Sequence, residues 1–204
     1  MKFPDNIREV SQLPIDMMGF IFYEKSPRYI DNLTLDSLNE LNPRIERVGV
    51  FVNETFENIR KAIAKYSLNI IQLHGNESSE FCRTLRNEKI KIIKAFSIKT
   101  KEDIRQTEPY ENQVNLFLFD TKTAQYGGSG EKFDWEILSS YQGKTPFILS
   151  GGINEQDMEL INNIRHPFFF GIDLNSRFEI SPGKKEVKKL EQFIKKQPIY
   201  EQDK

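Results

Sequence analysis

Leu116-Phe117-Leu118-Phe119-Asp120 is a short, continuous apolar run that ends at a charged residue. Six similar runs recur along the chain, each rich in β-branched or aromatic residues: 17–22, 48–52, 70–73, 90–96, 147–149 and 168–172. Runs that are continuous rather than alternating are typical of parallel strands buried on both faces. Their separation of roughly 20–30 residues is the length of one βα unit. The chain is therefore predicted to repeat a strand-and-helix unit.

Amphipathic segments fill the intervals between these runs. They predict helices at residues 34–41, 54–66, 78–85, 156–164 and 186–194. The second segment is expected to carry its apolar residues on one stripe: Phe56, Ile59, Ile63 and Ala64. Ser78 is a good N-cap for the third. Regular alternation of strand and helix predicts an α/β fold with a parallel sheet.

The number of strands decides which α/β fold is expected. Seven runs are present, and a helix-like stretch at residues 5–10 precedes the first of them. A closed barrel needs eight strands. An open doubly wound sheet is the alternative, but no Gly-x-Gly-x-x-Gly fingerprint follows the first run. The prediction is one domain over residues 1–204, a TIM (β/α)₈ barrel whose first strand is missing from the chain.

Composition narrows the class of protein without defining it. The 204 residues carry a net charge of −1, which gives no electrostatic footprint for nucleic acid or an anionic membrane. No apolar run approaches the roughly 20 residues of a membrane helix, and the first residues lack the pattern of a secretory signal. A single cysteine, Cys82, cannot form an intrachain disulfide. These features predict a cytoplasmic protein that binds neither nucleic acid nor membrane.

Polar residues follow several of the runs, and in barrels of this type the active site lies at the carboxyl ends of the strands. Asp120 is a candidate general acid, because a partly dry pocket can raise the pKa of a carboxyl; its alternative is a helix cap or a solvated loop residue. His74 is either a catalyst or a hydrogen-bonded structural residue. Arg28 either holds a substrate carboxylate through two parallel hydrogen bonds or lies at the rim. Cys82 is expected in the core, and the two histidines and one cysteine predict no metal-ligand cluster.

Two glycine pairs lie in the last third of the chain, Gly127-Gly128 and Gly151-Gly152, and Gly130 follows the first pair closely. Backbone N–H groups free of side chains can approach and surround a phosphate. One such pair alone is better explained as an ordinary tight turn. Two pairs after late strands favour a phosphate site, which is frequent at this place in barrels.

The ordered series of these motifs resembles the phosphoribosylanthranilate isomerase family from about residue 5 to residue 195. The motifs that carry the resemblance are 19–23, 25–29, 48–53, 72–77, 93–96, 119–120, 127–130, 133–135, 150–154 and 182–183. The resemblance implies an Amadori rearrangement of N-(5-phosphoribosyl)anthranilate in tryptophan biosynthesis. It implies no metal and no organic cofactor, a small-molecule substrate as the partner, and a monomer or homodimer.

The resemblance also assigns residue roles. Asp120 would be the general acid that protonates the ribose ring oxygen, and Arg28 would bind the anthranilate carboxylate. The remaining residues would surround the substrate and its phosphate: Gln72, His74, Gly128, Gly130, Gly151, Gly152, Asp173, Asn175 and Ser176. Arg177 departs from the family pattern Asp-x-Ser-Ser-Gly-x-Glu, where a glycine is usual, and is expected to point to solvent.

The general base is the second departure from the family. Members begin with a strand that ends in Lys-x-Cys-Gly, whose cysteine moves the proton from the sugar carbon. No such motif precedes Pro4. The hypothesis is that the sequence starts at an internal methionine and that this chain is impaired. Either its stability is low, or another segment or chain fills the gap. The alternatives are a non-catalytic phospho-sugar-binding barrel and another phosphate-binding barrel enzyme, such as an indole-glycerol-phosphate synthase-like lyase.

Overall fold

The computed structural model describes residues 1–31, 33–121 and 133–196. Seven strands form one parallel sheet in which each strand pairs with the next along the chain. They are β1 (Met17–Ile21), β2 (Glu46–Phe51), β3 (Ile70–Leu73), β4 (Lys91–Ile98), β5 (Leu116–Thr121), β6 (Phe147–Leu149) and β7 (Phe169–Ile172). Each corresponds to a predicted run, so the parallel α/β barrel class with seven of eight strands is confirmed.

Helices precede, connect and follow the strands. They are α1 (Pro4–Val10), α2 (Leu35–Asn39), α3 (Phe56–Tyr66), α4 (Ser79–Asn87), α5 (Lys101–Arg105), α6 (Met158–Asn162) and α7 (Val187–Ile194). Three 3₁₀ turns lie at Glu108–Tyr110, Trp135–Ser140 and Ser176–Phe178, and a small antiparallel ribbon joins β8 (Glu179–Ser181) to β9 (Lys184–Lys185). No helix in the described ranges is long and apolar enough to cross a membrane.

The helix ends follow their local sequence. The predicted N-cap Ser78 accepts a hydrogen bond from the backbone N–H of Phe81, which satisfies one of the free donors at the start of α4. The predicted stripe of α3 is wrong in one member, because Ala62 is buried and Ala64 is exposed. Ala64 lies five positions after Ile59, and five positions at 3.6 residues per turn point away from the buried face.

Alternation along the strands sorts side chains into two layers. On β5, Phe117 and Phe119 face the helices, whereas Leu116 and Leu118 face the interior of the barrel. The interior cluster is small and aliphatic: Val48, Ile70, Ile93, Ala95, Leu116, Leu118 and Ile148. A residue two positions after a member of this cluster faces the same way, toward the interior. Asp120 follows Leu118 by two positions and therefore reaches the interior at the carboxyl end of the sheet.

A cavity of about 1080 Å³ occupies the interior. Residues from all seven strands line it, which shows that the sheet curves around a common space. Strands β1 and β7 are the two edges of this sheet, and no other strand of the described ranges pairs with either edge. Side chains of α1, α6 and α7 also line the cavity, so it extends between the two edge strands toward the helices.

Candidate active site

Asp120 lies at the carboxyl end of β5 and lines the cavity. It reaches the interior because it follows Leu116 and Leu118 at two-residue spacing. Its Oδ1 accepts a hydrogen bond from the backbone N–H of Thr121 at 2.8 Å, and 22% of its side chain is exposed. The predicted acid thus sits above an apolar interior with partial access to solvent.

Gln72 and His74 lie beside this carboxyl at the end of β3, on the same face as Ile70. The Nε2 atom of His74 is 3.4 Å from Oδ2 of Asp120. The Nδ1 atom of the same ring is 2.9 Å from Nε2 of Gln72. The two predicted residues therefore form a chain of contacts that ends at Asp120.

A buried ion pair lies behind His74, on the helix side of the sheet. Nζ of Lys94 is 3.2 Å from Oε2 of Glu77, and each side chain is only 3% exposed. Burial lowers the pKa of Lys94, and the charge of Glu77 opposes that change. Glu77 also accepts hydrogen bonds from the backbone N–H groups of Asn53 and Gly75, which ties the loops after β2 and β3 together.

Gly151 and Gly152 form a tight turn at the end of β6. Their φ angles are +90° and +65°, a region that side chains other than hydrogen rarely adopt. A Cβ atom on Gly151 would lie 2.8 Å from Oδ1 of Asp120 and would also collide with Thr121. The turn therefore packs directly against the proposed acid. The predicted Gly128 and Gly130 lie outside the described residues.

Arg28 is held by an ion pair with Glu179 of β8. Its Nε is 3.0 and 2.9 Å from the two carboxylate oxygens, and its Nη2 is 2.6 Å from Oε2. Burial alone would raise the pKa of Glu179, but the hydrogen bonds from Arg28 and the charge of Lys185 hold it below its ordinary value. The two parallel hydrogen bonds predicted for a substrate carboxylate are thus made within the protein, and Arg28 can meet a substrate only through its other edge.

Asp173, Asn175 and Ser176 follow β7 and line the same cavity. Oδ2 of Asp173 accepts a hydrogen bond from the hydroxyl of Ser150 at 2.9 Å. Oδ1 of Asn175 accepts one from Nζ of Lys185 at 2.8 Å. The structure thus brings the predicted residues of this segment to the cavity, and Arg177 is exposed as expected.

Four residues of this site were not predicted, Glu77, Lys94, Glu179 and Lys185. Glu179 is the last residue of the family pattern that follows the final strand. That position could have marked it as a site residue, but it gave no indication that its partner is Arg28. Lys94 interrupts an apolar run, and a lysine buried there requires a buried partner. The ion pair could therefore have been predicted from the position of Lys94, although the identity of Glu77 as its partner could not.

Cys82 lies in the core of α4 and is fully buried, as predicted. Burial raises the pKa of its thiol to about 11, so the thiolate that a base requires is disfavoured. Cys82 is the only cysteine of the sequence. The described residues also contain no group of three His, Cys, Asp or Glu side chains that could hold a metal ion.

The parallel barrel sheet with polar residues at its carboxyl end is the architecture of a barrel enzyme, and the relatives of this chain give its class as an isomerase. The chain belongs to the N-(5′-phosphoribosyl)anthranilate isomerase family, whose model matches residues 2–196. The enzyme of that name from Parabacteroides distasonis is 51% identical over 198 residues, which is 95% of this chain and 89% of the relative. The one from Thermotoga neapolitana is 44% identical over 184 residues, which is 89% of this chain and 87% of the relative.

Solved structures agree with this assignment. Phosphoribosylanthranilate isomerase from Thermotoga maritima superposes with a TM-score of 0.82 at 34% identity, over 96% of this chain and 94% of that one. A structure of phosphoribosylanthranilate isomerase in complex with reduced 1-(o-carboxyphenylamino)-1-deoxyribulose 5-phosphate superposes with a TM-score of 0.78 at 30% identity, with the same coverage.

Proposed function

We propose that this chain catalyses the Amadori rearrangement of N-(5-phosphoribosyl)anthranilate to 1-(2-carboxyphenylamino)-1-deoxyribulose 5-phosphate, without metal or organic cofactor. The observation that carries the proposal is Asp120, a carboxyl above an apolar interior and beside an imidazole. The names of the relatives and the product analogue bound to one of them support the same substrate. The reaction belongs to tryptophan biosynthesis and uses the whole chain as one domain, as a monomer or a homodimer.

Asp120 is the proposed general acid. Its proton passes to the ribose ring oxygen while the bond between that oxygen and the anomeric carbon breaks. The lone pair of the anthranilate nitrogen forms a C=N bond to the same carbon, which leaves the Asp120 carboxylate and an opened sugar iminium. The cavity of about 1080 Å³ is large enough for a substrate of this size. The free edge of Arg28 is the proposed contact for the anthranilate carboxylate.

The phosphate is proposed to lie against the glycine turn after β6 and the segment after β7. Gly151 and Gly152 bring backbone groups close without side chains, and Asp173, Asn175 and Ser176 border the same space. Gly128 and Gly130 complete the proposed set.

The proton on the sugar carbon needs a base, and the buried Cys82 is unsuited to that role. The proposed base is the cysteine of a Lys-x-Cys-Gly strand seated between β1 and β7. The support is that no further strand of the described ranges pairs with β1 or β7, and that the cavity reaches between them. On the outer edge of β1 the carbonyl oxygen of Gly19 accepts a hydrogen bond from the Met1 amino group at 2.6 Å, and that of Ile21 accepts one from the N–H of Ile30 at 3.1 Å.

Turnover of N-(5-phosphoribosyl)anthranilate, followed by the loss of its fluorescence, tests the proposal. We expect turnover in a chain extended by such a strand and little in the chain without it. In the extended chain, Asp120→Asn is expected to lower kcat by about 10²–10⁴-fold, because a general acid contributes that much. Asp36→Asn, an exposed carboxylate of α2 remote from the cavity, is the control.

Two outcomes would contradict this function. Turnover in neither form, with the product analogue still bound, would favour a non-catalytic phospho-sugar-binding barrel. Full activity in Asp120→Asn would show that Asp120 is not the general acid. It would favour the reaction of another phosphate-binding barrel enzyme.

A further inference from the structure

We infer that His74 is a positioning residue: its Nε2–H faces Oδ2 of Asp120 at 3.4 Å, and Gln72 together with the Lys94–Glu77 ion pair fixes its tautomer and orientation. The catalytic part of this inference rests on the proposed role of Asp120. The geometric part concerns His74 alone and can be measured without turnover.

The tautomer follows from the partner of Nδ1. In a neutral imidazole one ring nitrogen carries a proton and the other accepts a hydrogen bond. The amide nitrogen of Gln72 has only protons to offer, and it lies 2.9 Å from Nδ1 of His74. Nδ1 is therefore the acceptor, the ring proton is on Nε2, and Nε2 is the atom that faces Asp120 at 3.4 Å.

The orientation follows from contacts on both sides of His74 in the chain. Nζ of Lys94 donates to the carbonyl oxygens of Leu73 and Gly75, at 3.3 and 2.8 Å. The carboxylate of Glu77 accepts the N–H of Gly75 at 3.0 and 3.2 Å. A buried cation and a buried anion thus hold the peptide groups that flank His74, and neither side chain lines the cavity.

The contact has a chemical consequence for Asp120. Oδ1 accepts the N–H of Thr121 at 2.8 Å, and Oδ2 faces His74, so both oxygens are oriented by neighbours. When Asp120 gives its proton to the substrate it becomes an anion. An N–H dipole that faces Oδ2 stabilises that anion more than the neutral acid, because its attraction to a full negative charge is stronger. His74 therefore assists the proton transfer without itself touching the reacting atoms.

The tautomer can be read by ¹⁵N–¹H NMR of the imidazoles at alkaline pH, where the free ring is neutral. The sequence has only two histidines, and the second is an internal reference. Nε2 of His166 lies 3.1 Å from the carbonyl oxygen of Tyr141, and its Nδ1 accepts the N–H of Phe168 at 3.2 Å. Both partners are backbone groups, so His166 must carry its proton on Nε2.

We expect both histidines to show the Nε2–H pattern in the unaltered chain. Gln72→Leu should weaken this preference at His74, because only Asp120 then favours the proton on Nε2, and should leave His166 unchanged. A proton on Nδ1 of His74 in the unaltered chain would overturn the inference, whatever the activity measurements show. Failure of the proposed function would leave this result untouched, so the two failures are distinguishable.

The catalytic part is tested by two substitutions at His74 in the form of the chain that turns over substrate. His74→Gln places an amide donor near the position of Nε2, whereas the shorter His74→Asn does not reach it. We expect His74→Asn to lower kcat by about 10–100-fold with KM nearly unchanged, and His74→Gln to restore most of the loss. Equal losses in both variants, or a change confined to KM, would contradict a positioning role.

A double-mutant cycle completes the test. In an Asp120→Asn background, His74→Asn should have little further effect on kcat, because the group that it positions is gone. Independent, multiplicative losses would show that His74 acts elsewhere and would overturn the inference.

Discussion

Gly151 lies so close to Thr121 and to the proposed acid Asp120 that no side chain larger than hydrogen fits there. Its φ of +90° is strained for any other residue, and an added Cβ would lie 2.8 Å from Oδ1 of Asp120. We expect Gly151→Ala to destabilise the fold by about 1–3 kcal/mol, measured by chemical denaturation. The same change should lower kcat, because Asp120 must shift to make room.

Gly171 on β7 offers a matched control for this substitution. Among the described residues no atom lies within 4 Å of a Cβ built there, and its φ is not positive. Gly171→Ala is expected to leave the stability of the unextended chain nearly unchanged. Equal effects of the two substitutions would show that the close approach at Gly151 is unimportant.

Some of the site could be predicted from single residues and some could not. The positions of Asp120 and His74 could be predicted, because each follows an apolar strand and the two-residue alternation turns its side chain inward. The partner of Arg28 could not be predicted, since Glu179 lies 151 positions further along the chain. Pairing over such a distance is decided by tertiary structure, and no local pattern encodes it.

The ribbon of β8 and β9 connects to the loop after β1 through one carboxylate. Glu179 binds Arg28, Lys185 and the backbone N–H of Gly183, and only 4% of its side chain is exposed. We expect Glu179→Gln to cost about 3 kcal/mol at neutral pH, because it leaves buried cations without their counter-ion. It should also raise KM, because Arg28 loses its support.

The effect of Glu179→Gln should depend on pH. The folded pKa of Glu179 lies below its ordinary value of 4.5, so its stabilising contribution is full above that pH and is lost as the pH falls through the folded pKa. The difference in free energy of unfolding between the two proteins should therefore shrink below about pH 4.5. Glu186→Gln, an exposed position nearby, controls for the general loss of one carboxylate. A difference that stays constant in acid would contradict the ion pair.

Strand β7 shows where reasoning from element patterns falls short. The run at 168–172 predicts a strand buried on both faces, and the strand is present. Phe170, however, is 58% exposed, and none of its residues is fully buried. Strands β2 to β6 each have two neighbouring strands that contribute to their burial, whereas β7, like β1, has one. Local apolar content predicted the element but not its place at the edge of the sheet.

The whole molecule has one feature that should govern its stability, the open interval between β1 and β7. We expect an N-terminal extension that forms a strand there to raise Tm by at least about 5 °C, because it would bury apolar residues at the two edges. Thermal unfolding by circular dichroism measures this. An extension of the same length made of glycine and serine is the control, since such chains remain flexible.

A strand and a flexible extension with the same Tm would contradict this expectation. Sedimentation of the unextended chain tests the other way of filling the interval, by a second copy. A dimer that dissociates when the strand is added would show that a second copy covers the two edges in the unextended chain and that the added strand replaces it.

Each strand of the sheet pairs with the strand just before it in the chain. Pairing between sequence neighbours closes short loops, and short loops cost the least conformational entropy. A chain that leaves the ribosome N-terminus first can therefore add each new strand to an edge that is already formed. We expect synthesis and folding of the sheet to proceed together from β1 to β7, with the glycine turn and the Arg28–Glu179 pair among the last parts to assemble.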